Sequence, residues 1–205
     1  MKSLAQPMAA IALLLAATPA GAITTAGFDH ARPLAPQQAE AGAALTAGAD
    51  AWFIGAHGRI GLLPELDAGL RAGLVLLDDQ SGFEVEGGAR FRFLRTEDTG
   101  GAVDLAFATF GAVLKSDAAF LGSVDPQLLV SRHFDIGDGR AVYVAGGFGL
   151  AVTFLDQDGR DSDSELGLLG AVGAGVDIIK GLGVALEARL RDGDARYGVG
   201  VTLHF

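Results

Sequence analysis

The final eleven residues of the chain alternate between apolar and polar or small positions. Apolar side chains occupy every second position, at Tyr197, Val199, Val201, Leu203 and Phe205. A period of two residues predicts a β-strand with one apolar face and one polar face. The chain therefore ends on a strand whose last residue is aromatic.

The same alternation divides residues 38–205 into ten segments separated by short turn-forming stretches. We predict strands at 38–49, 51–62, 66–77, 83–95, 102–115, 126–135, 140–155, 165–179, 182–191 and 195–205. These lengths are close to the roughly 9–11 residues that a tilted strand needs to cross a membrane. The pattern predicts an all-β, up-and-down antiparallel transmembrane barrel of about ten strands. An eight-stranded barrel is the alternative if 38–49 or 126–135 lies outside the wall.

Two residues break the alternation. Phe110 falls on the polar side of its strand, and Arg132 falls on the apolar side of the next one. A β-bulge would correct either register, and a long side chain such as Arg132 can also extend along the wall towards the membrane surface.

Aromatic residues test the barrel independently of the alternation. An even number of strands places both termini on one side, which is the periplasm in bacterial single-chain barrels. The strand directions then place Trp52, Phe83, Phe154 and Tyr197 at the outer rim, and Phe93, Phe134 and Phe205 at the inner rim. Two aromatic belts favour a membrane barrel over a soluble β-sandwich.

The residues before the first strand are predicted to form a signal peptide and an extended lead-in to the barrel. Lys2, the apolar run 8–17 and the small residues that follow predict a secretory signal peptide over 1–22. Residues 23–37 contain Pro33 and Pro36, which suppress regular structure, so we expect an extended periplasmic lead-in there. The barrel itself is expected over 38–205.

Composition narrows the class of partner. The 205 residues contain no cysteine, half of them are hydrophobic, and the formal net charge is −10. Removal of Lys2 with the signal peptide gives −10 − 1 = −11 for the mature chain. Because binding to phosphate backbones requires a basic surface, nucleic acid is not an expected partner.

The terminal strand and the ten-segment pattern resemble the small outer-membrane proteins of Gram-negative bacteria. The resemblance is to the OmpA transmembrane domain and to OmpX and OmpW, over residues 38–205. It implies an integral protein of the outer membrane in contact with membrane lipid and lipopolysaccharide. It also implies that the barrel-assembly machinery reads Tyr197, Val199, Val201, Leu203 and Phe205 as an assembly signal.

Charged residues fill the inward positions of the predicted strands. The expected lumen-lining residues are Arg59, Arg71, Glu84, Glu86, Arg90, Arg92, Asp104, Asp177, Glu187 and Arg189, with Glu40, Asp67, Glu165, Arg191 and Arg196 on the same face. One interpretation is a lattice of ion pairs that fills the lumen, because buried charges need partners. The other is a narrow charge-lined pore. About eight strands already give a lumen filled by side chains, so ten strands favour filling.

Other candidate sites are weaker. The acidic loop 156–165 offers oxygen ligands for Ca²⁺ but lacks the EF-hand spacing, so a solvated loop is favoured. Ser131 and His133 share one face of a strand, as in outer-membrane lipid A deacylases, but on the lumen side. Asp78 and Asp79 lie in a predicted outer loop, where outer-membrane proteases carry surface aspartates. An Asp-Asp pair is more often a simple turn, and a turn is the favoured interpretation.

We therefore expect no catalytic residues, no metal site and no cofactor. The expected function is a structural barrel or a narrow porin-like passage for small solutes or ions. The alternatives are a surface-loop ligand-binding or adhesion protein and, as a weaker one, a lipid A deacylase-type enzyme.

Overall fold

The computed structural model describes residues 30–48, 51–77, 80–116, 120–156, 163–191 and 194–205. Ten strands make up most of these residues. They are β1 (Ala39–Gly48), β2 (Ala51–Leu63), β3 (Leu66–Leu77), β4 (Gln80–Leu94), β5 (Asp104–Ser116), β6 (Phe120–Gly137), β7 (Arg140–Asp156), β8 (Asp163–Ile179), β9 (Leu182–Arg191) and β10 (Asp194–His204).

The strands form one closed barrel in which each strand pairs antiparallel with its neighbours in the chain. β1 closes the barrel against β10, with Ala43 opposite Val201. The predicted ten-stranded up-and-down barrel is confirmed, and the eight-stranded alternative is wrong because β1 and β6 both lie in the wall. We call the end where β1 begins and β10 ends the base, and the opposite end the top.

The sixth strand begins earlier than the sequence pattern predicted. We expected a turn up to Asp125, whereas β6 starts at Phe120. Gly122, Ser123 and Pro126 resemble turn residues, but β5 pairs with this stretch without interruption, from Lys115 opposite Phe120 onwards. Towards β7 the register runs from Val124 directly to Gln127. Proline has no N–H to donate, which explains a local gap in the pairing at Pro126.

The large apolar side chains lie on the outside of the barrel. Those exposed along the wall include Ile54, Leu70, Leu74, Val144, Phe148, Leu166, Leu168, Val172, Leu186 and Leu190. An exposed apolar band of this extent would aggregate in water and is the normal exterior of a barrel in lipid. In the described ranges, no helix is long and apolar enough to cross a membrane.

Aromatic side chains mark both ends of this exterior. Trp52, Phe83, Phe154 and Tyr197 are exposed near the top, and Phe93, Phe134 and Phe205 are exposed near the base. These are the two predicted belts. Rings at both ends of an apolar wall are typical of the two membrane interfaces.

The two exceptions to the alternation have different explanations. Phe110 needs no bulge, because the β5 register is continuous around it; it points inwards and is buried. Arg132 is on the outer face, as the register requires, and its guanidinium lies 5.1 Å from the ring centroid of Phe134. That contact matches the expected extension of the arginine along the wall near the base.

Inward rings pack directly against glycines on the neighbouring strand. Phe110 lies opposite Gly88, His57 opposite Gly42, and Tyr143 opposite Gly175. A Cβ built on Gly88 would lie 2.4 Å from Phe110 Cδ1 and 2.5 Å from the Thr109 carbonyl oxygen. These glycines therefore provide the space in which the rings lie flat against the wall.

We expect Gly88→Ala to lower the free energy of unfolding by about 1–3 kcal/mol, the usual cost of overpacking a filled interior. The control is Gly87→Ala, one residue away, where the nearest atom to a new Cβ is 3.6 Å distant. Urea unfolding of both variants in lipid vesicles, followed by heat-modifiable gel mobility, measures the difference. Equal stability of the two variants would contradict the packing of Phe110 against Gly88.

Candidate functional site: the filled lumen

The upper part of the lumen contains an apolar cluster. Its members are contributed by five strands and are all buried: Ala44, Ala51, Phe53, Val75, Leu114 and Leu121. We call this group the Phe53 cluster. The lumen is therefore filled by side chains just below the top of the wall.

A buried ion pair lies directly beneath this cluster. Arg71 Nη2 donates to Glu84 Oε1 at 2.6 Å and to Glu86 Oε2 at 3.4 Å. The Arg71 guanidinium also lies 4.2 Å from the ring centroid of Phe53. Arg71 is only 2% exposed, so its charge is removed from water and depends on these carboxylates and on the ring.

The opposite wall carries a second buried charged group. Arg189 Nε lies 3.4 Å from Glu187 Oε1, and Arg191 Nη1 lies 3.5 Å from Asp125 Oδ2. Arg191 also donates to the Thr153 hydroxyl. The middle of the lumen is thus filled from both sides by arginines held on carboxylates.

A third charged group fills the base. Arg59 Nη2 donates to Glu40 Oε2 at 2.9 Å, and Arg59 Nη1 lies 3.5 Å from Asp67 Oδ2. Arg90, which is 0% exposed, donates to the same Asp67 carboxylate. One aspartate on β3 therefore joins arginines from β2 and β4.

Residues 30–36, which we call the inserted segment, enter the barrel through its base. Ala31 is 0% exposed, and its backbone N–H donates to Ser131 Oγ at 2.9 Å. The Leu34 N–H donates to Asp67 Oδ2 at 2.9 Å, and Arg32 Nη2 lies 3.2 Å from Asp104 Oδ2. The carboxylates of Asp67 and Asp104 therefore bind both the inserted segment and the arginines of the wall.

The sequence predicts that these residues end an extended periplasmic lead-in, and it does not predict their entry into the barrel. Arg32 and Pro33 form no periodic pattern with β1, so no local signal places the segment. The roles of Ser131, Asp67 and Asp104 in holding it were missed for the same reason.

His30 is buried at the start of the described part of the inserted segment. Its carbonyl oxygen accepts a hydrogen bond from Arg90, and its ring lies 5.0 Å from that of His133 and 4.9 Å from that of Tyr143. Nδ1 of His30 has no hydrogen-bond partner among the described residues. Burial, reinforced by the Arg59 guanidinium, holds the pKa of His30 well below its usual range, so the ring is neutral at pH 7.

A cavity of about 190 Å³ lies between the inserted segment and the wall at the base. His30, Arg32 and Leu34 line it from the segment, and the wall residues that line it include Arg59, His133, Tyr143, Asp177, Thr202 and His204. The base of the described lumen therefore contains free space beside the inserted segment.

The structure places the predicted lumen-lining residues at different depths. Buried side chains at inward positions are Arg59, Arg71, Glu84, Glu86, Arg90, Asp104, Glu187 and Arg189. Arg92 and Asp177 lie at the base and are partly exposed; Arg92 Nε donates to Glu65 Oε2 at 2.9 Å, and Asp177 accepts from the Ala141 N–H at 2.9 Å. Glu165 has an inward register but is exposed near the top.

The terminal strand presents its apolar side chains to the exterior. Tyr197, Val199, Val201, Leu203 and Phe205 are all exposed on the outer face of β10 or just after it. Recognition of these residues by the barrel-assembly machinery stays a prediction.

Ser131 and His133 do not form a catalytic arrangement in this structure. The Ser131 hydroxyl accepts the Ala31 N–H inside the lumen, and His133 Nδ1 lies 3.8 Å from Asp104 Oδ2 without a hydrogen bond. Both side chains are therefore away from the lipid-facing wall, where an acyl chain would lie.

The other proposed sites are outside the described residues or lack ligands. Asp78 and Asp79 and most of the acidic loop, residues 157–162, lie outside the described ranges. Among the residues that are described, no group of three or more His, Asp or Glu side chains is arranged to hold a metal ion.

No family model and no curated protein matches the sequence. Among solved structures, a bacterial polysaccharide outer-membrane secretin is similar at 10% identity and a TM-score of 0.48, over 76% of this chain and 57% of that one. The chain thus spans little more than half the length of that secretin chain. The KdgM porin is similar at 12% identity and a TM-score of 0.40, over 81% and 99% of the two chains.

The N-terminal β-barrel domain of Pseudomonas aeruginosa OprF is similar at 14% identity and a TM-score of 0.38, over 84% of this chain and 100% of that one. At these identities the likeness concerns architecture alone. Membrane insertion follows from the barrel itself, since a closed sheet leaves no unpaired strand edge and its outer face is apolar. The chain is an integral β-barrel of the outer-membrane type.

We expect Arg90→Met to lower the free energy of unfolding by about 3–5 kcal/mol, because it removes the nearer of the two arginine charges that compensate buried Asp67. Arg95→Met is the control: Arg95 pairs with Glu65 at the base but is 49% exposed, so its loss should cost about 1 kcal/mol or less. Urea unfolding in vesicles measures both. A loss at Arg90 no larger than at Arg95 would contradict the buried ion-pair lattice.

Proposed function

We propose that this chain is a structural outer-membrane barrel whose lumen is closed at rest. The observation that carries the proposal is the filling of the lumen at three levels, by the Phe53 cluster, by Arg71 with its carboxylates, and by the inserted segment at the base. An open aqueous pore would leave these side chains in water. Instead, Arg71 and Arg90 are among the most deeply buried large side chains of the described chain.

The buried ion pairs support a structural role because most of them connect different strands; Arg189 and Glu187, both on β9, are the exception among those described above. Arg59 of β2 bridges Glu40 of β1 and Asp67 of β3. Pairing of this kind fixes the register of neighbouring strands from the inside, where a shift of one residue would leave charges unpaired. A barrel stabilised in this way contributes a rigid element to the membrane.

A gated narrow passage is the second candidate, and the inserted segment favours it. The base is closed by residues that are not part of the wall, with a cavity beside them. Withdrawal of the segment would open the base to small solutes or ions. The Phe53 cluster and Arg71 with its carboxylates would still fill the lumen above the base. The structural role therefore ranks first.

The remaining alternatives gain no support from the described residues. A lipid A deacylase would need its Ser and His at the lipid face, whereas Ser131 and His133 point into the lumen. A surface-binding role for loop 156–165 depends on residues that the structure does not describe.

Conductance in planar bilayers separates the two leading candidates. Ala31→Trp places a large ring at a fully buried position and keeps the inserted segment out, whereas Ala35→Trp adds the same ring at an exposed position of that segment. The structural proposal predicts no stepwise conductance at pH 7.5 from the intact chain or either variant, once heat-modifiable mobility has verified that each barrel is folded. Steps from Ala31→Trp alone would establish the gated passage, and steps from the intact chain would contradict a closed lumen.

A further inference from the structure

We propose that the inserted segment is an acid-sensitive latch, which docks in the base of the barrel when His30 is neutral and leaves it when His30 is protonated. The inference rests on the closed lumen proposed above and names a way in which its base is regulated. The inference depends on the position of His30 among arginines, in a segment that hydrogen bonds and an ion pair hold in the base.

The surroundings of His30 are unfavourable for a cation. Arg59 of β2 exerts the strongest charge effect on the His30 ring, and Arg32 on the same segment adds to it. Arg90 of β4 donates to the His30 carbonyl. His133 of β6, Tyr143 of β7 and His204 of β10 complete the titratable groups around it. A positive charge on the His30 ring would be repelled by these arginines and would not be hydrated.

The carboxylates at the base are already engaged by other partners. Asp67 of β3 accepts from Arg59, Arg90 and the Leu34 N–H, and Asp104 of β5 is held by Arg32, Arg92 and the Thr96 N–H. Glu40 of β1 pairs with Arg59 and His204. Asp177 of β8 accepts the Ala141 N–H and lies 3.8 Å from His204. In the described part of the chain, none of these four acids pairs with the His30 ring, so protonation of that ring gains no ion pair.

The direction of the pH effect follows from these contacts. Because folding into the barrel disfavours protonated His30, docking is fully stabilised above the ordinary histidine pKa of about 6.5 and weakens as the pH falls below it. Among the described residues, the polar contacts to be released include the Ala31 N–H on Ser131, the Leu34 N–H on Asp67, the Arg32 pair with Asp104 and the Arg90 bond to His30. The adjoining cavity gives the segment room to move.

Electron paramagnetic resonance distances between two spin labels test the latch. The chain has no cysteine, so the double substitution Ala35→Cys and Lys180→Cys labels one exposed site on the segment and one exposed site in the base turn of the wall. In lipid nanodiscs we expect one narrow distance at pH 7.5 and a broad, longer distribution at pH 5.0, reversible on return to pH 7.5. An unchanged distribution at pH 5.0 would overturn the latch.

Histidine variants in the labelled background identify the titrating group. His30→Gln should keep the narrow distance at both pH values, whereas His133→Gln and His204→Gln should keep the acid response. An acid response in His30→Gln equal to that of the parent would overturn the assignment. If His30→Gln is already broad at pH 7.5, the NMR titration midpoint of His30 in the unsubstituted chain must coincide with the midpoint of the distance change, and a mismatch overturns the proposal.

The outcomes for the latch and for the closed lumen are separable. A segment that stays docked at pH 5.0 in a barrel silent at pH 7.5 removes the latch and leaves the closed lumen. A segment that leaves at pH 5.0 in a barrel that conducts at pH 7.5 keeps the latch and removes the closed lumen.

Discussion

The pairing of buried charge is the constraint on which this structure depends. A barrel in lipid presents apolar side chains outwards, so the charged residues of its strands point into the lumen. In a lumen of ten strands they are largely removed from water, where an unpaired arginine or carboxylate costs several kcal/mol. The positions of Arg59, Arg71 and Arg90 are therefore set by the carboxylates of neighbouring strands, and these partners fill the interior.

The inserted segment follows from the same constraint. A cavity adjoins the wall at the base, where Asp67 and Asp104 are buried. The Leu34 N–H adds a third donor to Asp67 Oδ2, which Arg59 and Arg90 already contact, and the Arg32 guanidinium pairs with Asp104 Oδ2. Docking of the segment and burial of the base ion pairs are thus coupled, and a charge that disturbs one also disturbs the other.

The wall of the barrel could be predicted from sequence because its signal is local. Alternation with a period of two residues identified all ten strands, and the strand directions placed the aromatic belts at the correct ends. The start of β6 was missed because Pro126 and the small residues before it are typical of turns, and only pairing with β5 holds them in a strand. The inserted segment was missed because its partners are 33 to 100 residues away along the chain. The alternation of apolar and polar residues is a local pattern, so it cannot predict contacts between residues so far apart in the chain.

Hydrogen exchange of arginine guanidinium protons, measured by NMR in lipid nanodiscs at neutral pH, tests directly whether the charges of the lumen are buried and paired. Burial predicts that the guanidinium protons of Arg71 and Arg90 are strongly protected, while those of exposed Arg95 exchange at the rate of a free side chain. Unprotected exchange at Arg71 and Arg90 would show a water-filled lumen and contradict the burial of these charges.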